Sequence, residues 1–142
     1  MSNINSEQLI VAGKKIQYVK LGSTGPSVVF LSGHRTPLSN WDKVIPEVAA
    51  HATILAYDRL DTGGSEQSSS PQDGNEILST LDGLVEAVEL SPPYILVAHS
   101  LGGLYANLYA RRNPNKVRAV IMVEAGHPSE ATEHHILSLI HI

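Results

Sequence analysis

The chain of 142 residues contains no cysteine. Disulfide bonds, thiolate catalysis and cysteine-based zinc or iron–sulfur sites are therefore excluded within it. Charge is also sparse and only weakly biased, with 10 Lys and Arg residues against 14 Asp and Glu residues and a formal net charge of −4. Because no block of basic residues is present, neither nucleic acid nor an anionic membrane is expected as a partner.

Long apolar runs are missing as well. No stretch approaches the ~18 apolar residues of a membrane span, and the polar start "MSNINSEQ" lacks the apolar segment of a secretory signal. We therefore expect a cytoplasmic protein that does not enter a membrane. The hydrophobic share of 42% is enough for one domain with one core.

What the chain does contain is an alternation of short apolar runs and amphipathic stretches. Residues 28–33, 52–58, 94–98 and 117–125 are typical of buried strands, and residues 41–48, 75–90 and 101–112 keep a helical spacing. Pro46 is expected to kink or shorten the first helix. Residues 7–23 predict a hairpin that turns at Gly13 and Lys14. The fold class predicted is α/β, with a mostly parallel sheet, helices on both faces and an antiparallel hairpin at the edge.

One serine lies where a predicted strand meets a predicted helix, in the stretch "YILVAHSLGGLYANLYA". A nucleophile at the tip of such a turn has a strained backbone and needs small neighbours. Ala98 two residues before Ser100, and Gly102 and Gly103 after it, meet that need. The helix that follows offers free N–H groups to a developing oxyanion. The alternative is that Ser100 only caps this helix, but the combined context favours a catalytic nucleophile.

Four segments together resemble the N-terminal part of α/β-hydrolase-fold serine hydrolases. They are "VVFLSGHRTPLSNW", "ILAYDRLDTGGSE", "PPYILVAHSLGGLYANLYARRNP" and "VRAVIMVEAGHP". The resemblance implies this fold, incomplete at the C-terminal end, with Ser100 as nucleophile. It also implies an oxyanion hole formed by the backbone N–H groups of His34 and Leu101. Asp58 and Arg59 match a structural pair that fixes the loop after its strand.

Two positions depart from the usual pattern of that family. Ser32 and Gly33 stand where a His-Gly pair is more usual, which suggests a variant oxyanion loop, and Asp61 stands where glycine is common. Haloalkane dehalogenases and epoxide hydrolases of this fold use aspartate as nucleophile, so a serine disfavours those reactions. The resemblance implies acyl transfer from a small ester or related acyl substrate, with an esterase, lipase-like enzyme, amidase, lactonase or carbon–carbon bond hydrolase all compatible. Cofactor-free peroxidases and some lyases of this fold share the serine site as well. No cofactor and no metal are implied, and the oligomeric state is left open.

A serine hydroxyl needs a base, usually a histidine held by a carboxylate. In the resembling family the acid and then the histidine follow the serine in the chain, and 42 residues follow Ser100 here. Glu124, at the end of the last predicted strand, is a candidate acid, although it also fits a strand-end residue that bonds to nearby loops. The seven histidines offer no firm base: His99 is expected to pack behind the turn and His51 to lie at the surface. His34 lines the oxyanion loop, His127 is expected to shape its own loop, and His134, His135 and His141 belong to a polar tail.

The tail "LSLIHI", residues 137–142, continues no pattern of the fold and matches the translation of a sequencing-adapter end. We therefore expect residues 1–136 to be the N-terminal part of one domain and residues 137–142 to be non-native. On this interpretation the missing base and acid lie beyond the C-terminus, and the chain as printed is inactive. Two alternatives stay open: a binding module of this fold that never had a triad, and a minimal enzyme that uses Glu124 with His127 or His134.

Overall fold

The computed structural model describes residues 4–124, and these form one six-stranded sheet with three helices. The strands are β1 (Glu7–Val11), β2 (Lys14–Leu21), β3 (Ser27–Leu31), β4 (Thr53–Tyr57), β5 (Tyr94–His99) and β6 (Val117–Val123). The helices are α1 (Ile45–Ala49), α2 (Gly74–Ala87) and α3 (Gly102–Arg112), with a 3₁₀ turn at Leu38–Trp41. Within these residues no helix is long and apolar enough to span a bilayer.

The sheet has the strand order β1-β2-β4-β3-β5-β6. Strands β3, β4, β5 and β6 pair in parallel, while β1 and β2 form an antiparallel hairpin that joins the sheet through β4. The predicted α/β class and edge hairpin are thus confirmed. The hairpin turns at Ala12 and Gly13, one residue earlier than predicted, and both residues have positive φ angles of 49° and 80°. Two consecutive positive φ angles are the geometry of the tight hairpin turn that matches strand twist.

Helices cover both faces of the sheet, as the sequence predicts. Side chains of a strand alternate between faces, so Val29 and Leu31 of β3 join the core beneath α2 and α3. Their neighbours Val28 and Phe30 join a second core beneath α1 and the 3₁₀ turn. All five residues of β3 are buried, as expected of a central parallel strand.

The helix predicted over residues 41–48 is divided into a 3₁₀ turn and the short α1. Pro46 explains the division, because a residue without an N–H fits only the first turn of a helix, and Pro46 occupies that turn of α1. Helix α2 begins one residue earlier and ends three residues earlier than the predicted span 75–90. Its start is set by Asp73, whose carboxylate accepts a hydrogen bond from the N–H of Glu76 at 2.9 Å.

The prediction that the last strand is buried was wrong. In β6, Ile121 is 51% exposed, Met122 37% and Val123 42%. The reason is topological: β6 pairs with β5 on one side, and no described strand pairs with its other side. The apolar run of residues 117–123 therefore predicts a strand correctly, but it does not predict that both faces of the strand are buried.

Tyr57, at the end of β4, carries the one buried side-chain polar atom that lacks a hydrogen-bond partner in residues 4–124. Burial, opposed by the charge of Arg59 and assisted by Tyr105, raises the pKa of Tyr57 to about 12. Because the Tyr57 hydroxyl ionises at a higher pH in the folded state than in the unfolded state, its titration takes no stability from the fold below pH ~10 and lowers the free energy of unfolding as pH rises toward 12.

We expect Tyr57→Phe to raise the free energy of unfolding at pH 7 by about 1 kcal/mol, because it removes an unpaired buried hydroxyl. The variant should also lose less stability than the parent chain between pH 10 and 12. Urea unfolding of the chain at several pH values measures both effects. Tyr94→Phe is the matched control: its hydroxyl donates to the carbonyl of Leu90 at 3.1 Å, so this change should destabilise. Equal effects of the two changes would contradict the assignment.

An exposed apolar edge strand is a template for pairing with another chain. We expect the 142-residue chain to self-associate through β6, and Ile121→Lys to shift it toward monomer in light scattering. Val44→Lys replaces a comparably exposed residue, 42% exposed, that lies outside the sheet. If Val44→Lys disperses the chain as well as Ile121→Lys does, the edge of β6 is not the cause.

Candidate active site

The turn at Ser100 joins β5 to α3. Ser100 has φ of +53° and lies exposed. A residue with a side chain rarely occupies this left-handed region, and such strain is concentrated at functional sites. Helical turns begin immediately after Ser100. The N–H of Gly103 donates to the Ser100 carbonyl at 2.9 Å, and the N–H of Leu104 donates to the Leu101 carbonyl at 3.0 Å.

Close approach of β3 explains the small residues around this turn. A Cβ on Gly102 would lie 2.3 Å from the carbonyl oxygen of Leu31, far inside van der Waals contact. A Cβ on Gly33 would lie 3.1 Å from the Cβ of Ser100. Ala98 is fully buried and pairs with Leu31 across the β3–β5 ladder, and Gly103 is buried too. The serine is thus presented against the end of β3 and the loop that follows it.

That loop is held at both ends. The carbonyl of Gly33 accepts hydrogen bonds from the N–H of Thr36 at 3.3 Å and from the Arg59 guanidinium at 2.8 Å. The Thr36 hydroxyl donates to the His34 carbonyl at 3.0 Å. At the far end the N–H of Leu38 donates to the Asp58 carboxylate at 2.7 Å. Residues 33–38 are therefore anchored to the end of β4.

The Asp58 carboxylate is 1% exposed and joins three segments. Besides Leu38, it accepts from the N–H of Gly64 at 2.9 Å and from the side-chain amide of Gln17 at 3.2 Å. The Arg59 guanidinium lies 5.0 Å from the centre of the Tyr105 ring, within cation–π range. These contacts give Asp58 and Arg59 the structural role predicted for them.

Asp61, at the position where the sequence departs from the usual glycine, has φ of +70°. The backbone keeps the left-handed conformation that glycine favours, and aspartate is among the residues that tolerate it best. Its carboxylate accepts from both the N–H and the hydroxyl of Ser68. Aspartate in place of glycine at position 61 thus adds a side chain to the loop and keeps its backbone conformation.

His34 and Leu101 border the same cleft, which has a volume of about 710 Å³. In the part of the chain that the structure describes, neither backbone N–H donates a hydrogen bond. The other residues of the cleft come from the loops after β3 and β4 and from the first turns of α2 and α3: Arg35, Arg59, Leu60, Asp61, Thr62, Gln67, Gln72, Ile77 and Tyr105. Of these only Arg59 and Asp61 drew attention in the sequence. Arg35 was detectable as the residue that follows the predicted oxyanion donor.

On the other side of the turn, His99 packs edge-on against Trp41, with ring centres 6.4 Å apart. The Trp41 indole N–H donates to the Ser32 hydroxyl at 2.9 Å, so the serine that replaces the usual histidine has a buried structural partner. These three residues line a smaller cavity of about 250 Å³. The packing role expected of His99 agrees with this contact, and His51 is exposed as predicted.

Glu124 is exposed and directly follows β6. His99 pairs with Val123 in the parallel β5–β6 ladder, so Glu124 stands level with Ser100 at the same edge of the sheet. No hydrogen bond connects it to Ser100 or to any other residue in 4–124. His127, His134, His135 and His141, and the predicted boundary at residue 137, lie outside the described residues.

Other features of residues 4–124 lie apart from the turn. A larger cavity of about 1140 Å³ is bordered by β2 and α1 and by none of the turn residues. Among the described residues no group of three or more His, Asp or Glu side chains is arranged to hold a metal ion. The cleft bordered by His34 and by Leu101, the residue after Ser100, is therefore the one of these features that adjoins the strained turn.

We expect Gly102→Ala to lower the free energy of unfolding by about 2 kcal/mol, because the new methyl group forces β3 and the turn apart. Chemical denaturation of the chain measures the loss. Gly13→Ala serves as control, since no atom lies within 4 Å of its Cβ position and only its φ of +80° opposes the change; it should cost about 1 kcal/mol. A smaller loss at position 102 than at position 13 would show that the contact with Leu31 is not limiting.

Comparison with known proteins connects this geometry to a family. The family model described as alpha/beta hydrolase fold matches residues 26–139. A haloalkane dehalogenase from Mesorhizobium japonicum is 29% identical over 126 residues, covering 89% of this chain and 40% of the dehalogenase. A 2-hydroxy-6-oxo-2,4-heptadienoate hydrolase from Pseudomonas putida is 29% identical over 131 residues, covering 88% of this chain and 47% of that hydrolase.

Among solved structures, Cfl2 from Burkholderia cenocepacia matches with a TM-score of 0.80 and 27% identity, over 87% of this chain and 42% of Cfl2. The chain thus spans less than half the length of each of these relatives. The family match extends over most of the chain, and the parallel sheet with its edge hairpin agrees with it. The chain belongs to the α/β hydrolase fold family.

Proposed function

We propose that this chain carries the nucleophile and oxyanion hole of a serine hydrolase that cleaves small esters or related acyl compounds. The observation that carries the proposal is the strained Ser100, exposed at the end of β5 beside a cleft bordered by His34 and Leu101. A serine that only capped a helix would have no need of a left-handed backbone, since capping residues adopt extended angles.

In the proposed reaction the Ser100 hydroxyl oxygen forms a bond to the substrate carbonyl carbon while its proton passes to a base. The N–H groups of His34 and Leu101 donate to the oxygen that becomes negative. The alcohol leaves with the proton, and water then releases the acid from the serine by the reverse sequence. Free N–H groups suit this task because they cost no rearrangement as the charge develops.

The identity of residue 100 decides how the relatives are used. The dehalogenase relative is named for a haloalkane substrate, and the resemblance gives that class an aspartate nucleophile. The serine of this chain favours acyl chemistry instead. The Pseudomonas relative, named as a dienoate hydrolase, is compatible with that class of reaction. The substrate remains a small acyl compound in this proposal.

The base is proposed to lie outside residues 4–124, and so is the acid unless Glu124 supplies it. Glu124 stays a candidate acid because it stands level with Ser100, but its lack of any hydrogen-bond partner means that nothing in residues 4–124 orients it. A catalytic carboxylate must hold its histidine in one orientation. We propose accordingly that the 142-residue chain by itself is inactive or nearly so in ester hydrolysis.

The proposal is tested in the full-length protein that contains this chain. Ser100→Ala should lower kcat for 4-nitrophenyl acetate by on the order of 10³-fold or more and abolish labelling by a fluorophosphonate probe. Ser39→Ala, which removes another exposed hydroxyl, should change neither. Undiminished hydrolysis by the Ser100→Ala protein would refute the nucleophile assignment, and a full-length protein with no esterase activity or labelling would favour a binding module.

A further inference from the structure

The cleft beside Ser100 has an unusually polar wall for a site that would hold an acyl chain. Arg35 and Arg59 both border it, as do Gln67 and Gln72. Ligand sites are lined mainly by apolar side chains, with few polar groups that fix orientation. Two guanidinium groups in one cleft therefore indicate a charged feature of the ligand.

Arg59 is held in place before any ligand arrives. Its guanidinium donates to the Gly33 carbonyl and lies over the ring of Tyr105. A guanidinium has five N–H donors in a rigid plane, and a single hydrogen bond to Gly33 leaves most of them available. A planar donor fixed on one side is suited to bind a carboxylate on the other.

The Arg35 side chain is not held in place in this way. Its side chain forms no hydrogen bond or ion pair with any residue in 4–124, and it is exposed. Its φ of +51° lies in the region where glycine would be free of strain. An arginine kept at a strained position, next to the predicted oxyanion donor and without a partner of its own, points to a role toward a ligand.

The formal charge of the residues that line the cleft favours a ligand with one negative charge. Asp61 also borders the cleft, but its carboxylate already accepts two hydrogen bonds from Ser68. Two arginines against one aspartate leave one formal positive charge, which a monoanion neutralises. A carboxylate also matches the planar fork of a guanidinium, whereas a phosphate monoester would leave an excess of negative charge.

We infer that the substrate of this site bears a carboxylate near its scissile bond, and that Arg35, supported by Arg59, binds it and determines specificity. This inference rests on the proposed function and names the substrate class for it. Because the interaction is partly exposed, the preference should weaken as ionic strength rises.

Two matched pairs of esters test it in the full-length protein. The mono-4-nitrophenyl ester of adipic acid is compared with the same ester carrying a terminal amide, and 4-acetoxybenzoate with 4-acetoxybenzamide, so that the carboxylate lies on either half of the substrate. We expect kcat/KM to favour the anion in at least one pair, and Arg35→Gln to remove about tenfold of that preference through KM. The neutral member of the pair should change by less than about twofold. Arg111→Gln, an exposed arginine at the far end of α3, should leave both members unchanged.

Failures of the two proposals are distinguishable. If Ser100→Ala leaves hydrolysis intact, or no ester is cleaved, the proposed reaction fails whatever Arg35 does. The carboxylate site is then judged by calorimetric titration of adipamate, the monoanionic monoamide of adipic acid: binding weakened about tenfold by Arg35→Gln upholds it, and absent or unchanged binding overturns it. With active enzyme, equal rates within both pairs, or an Arg35→Gln effect shared by neutral and anionic esters, overturn the inference.

Discussion

A single buried carboxylate organises the edge of the sheet on which the site stands. An unpaired charge in an apolar interior is strongly unfavourable, and it is tolerated when hydrogen bonds replace its lost water. Asp58 meets that condition with donors from Leu38, Gly64 and Gln17, which belong to three separate segments. Satisfying the charge therefore requires the loop after β3, the loop after β4 and strand β2 to meet at one place. Arg59, the next residue, extends the same constraint to the carbonyl of Gly33.

Against this fixed framework stands a turn that is strained. Ser100 occupies a backbone region that costs of order 1–3 kcal/mol for a residue with a side chain. The compensation comes from the surroundings: Gly102 lets the turn sit against the Leu31 carbonyl, and the buried Ala98 seals the end of β5. Stability is thus supplied by the packed strands, while the exposed tip keeps the geometry that a nucleophile needs. The arrangement is the usual division between a rigid scaffold and functional residues on its loops.

The sequence predicted the strands and the turn at Ser100 correctly where a single physical effect determines the local structure. The buried run of β3 and the small residues around Ser100 predicted a central strand and a tight turn, and the resemblance to α/β hydrolases was confirmed. Prediction failed where a second cause intervened. Pro46 divided a helix whose apolar spacing was intact, and β6 has an apolar sequence although Ile121 is exposed at the edge of the sheet formed by residues 4–124.

The candidate site divides in the same way. The roles of Ser100, His34, Leu101 and Glu124 stay predictions. A local sequence pattern identifies candidate residues, but it does not show that they react with a substrate. The polar wall of the cleft could not be predicted, because Arg35, Gln67 and Tyr105 are far apart in sequence and meet only through the sheet order. Long-range meetings of this kind depend on tertiary contacts that no window of sequence contains.

The double anchoring of residues 33–38 bears on which of their side chains can be replaced. Gly33 is tied to Arg59 and Leu38 to Asp58, so the residues between the two ties carry little of the fold's stability. His34 and Arg35 are exposed within this short arch. Replacing these two side chains would therefore change the character of the neighbouring cleft and leave the ties at Gly33 and Leu38 in place.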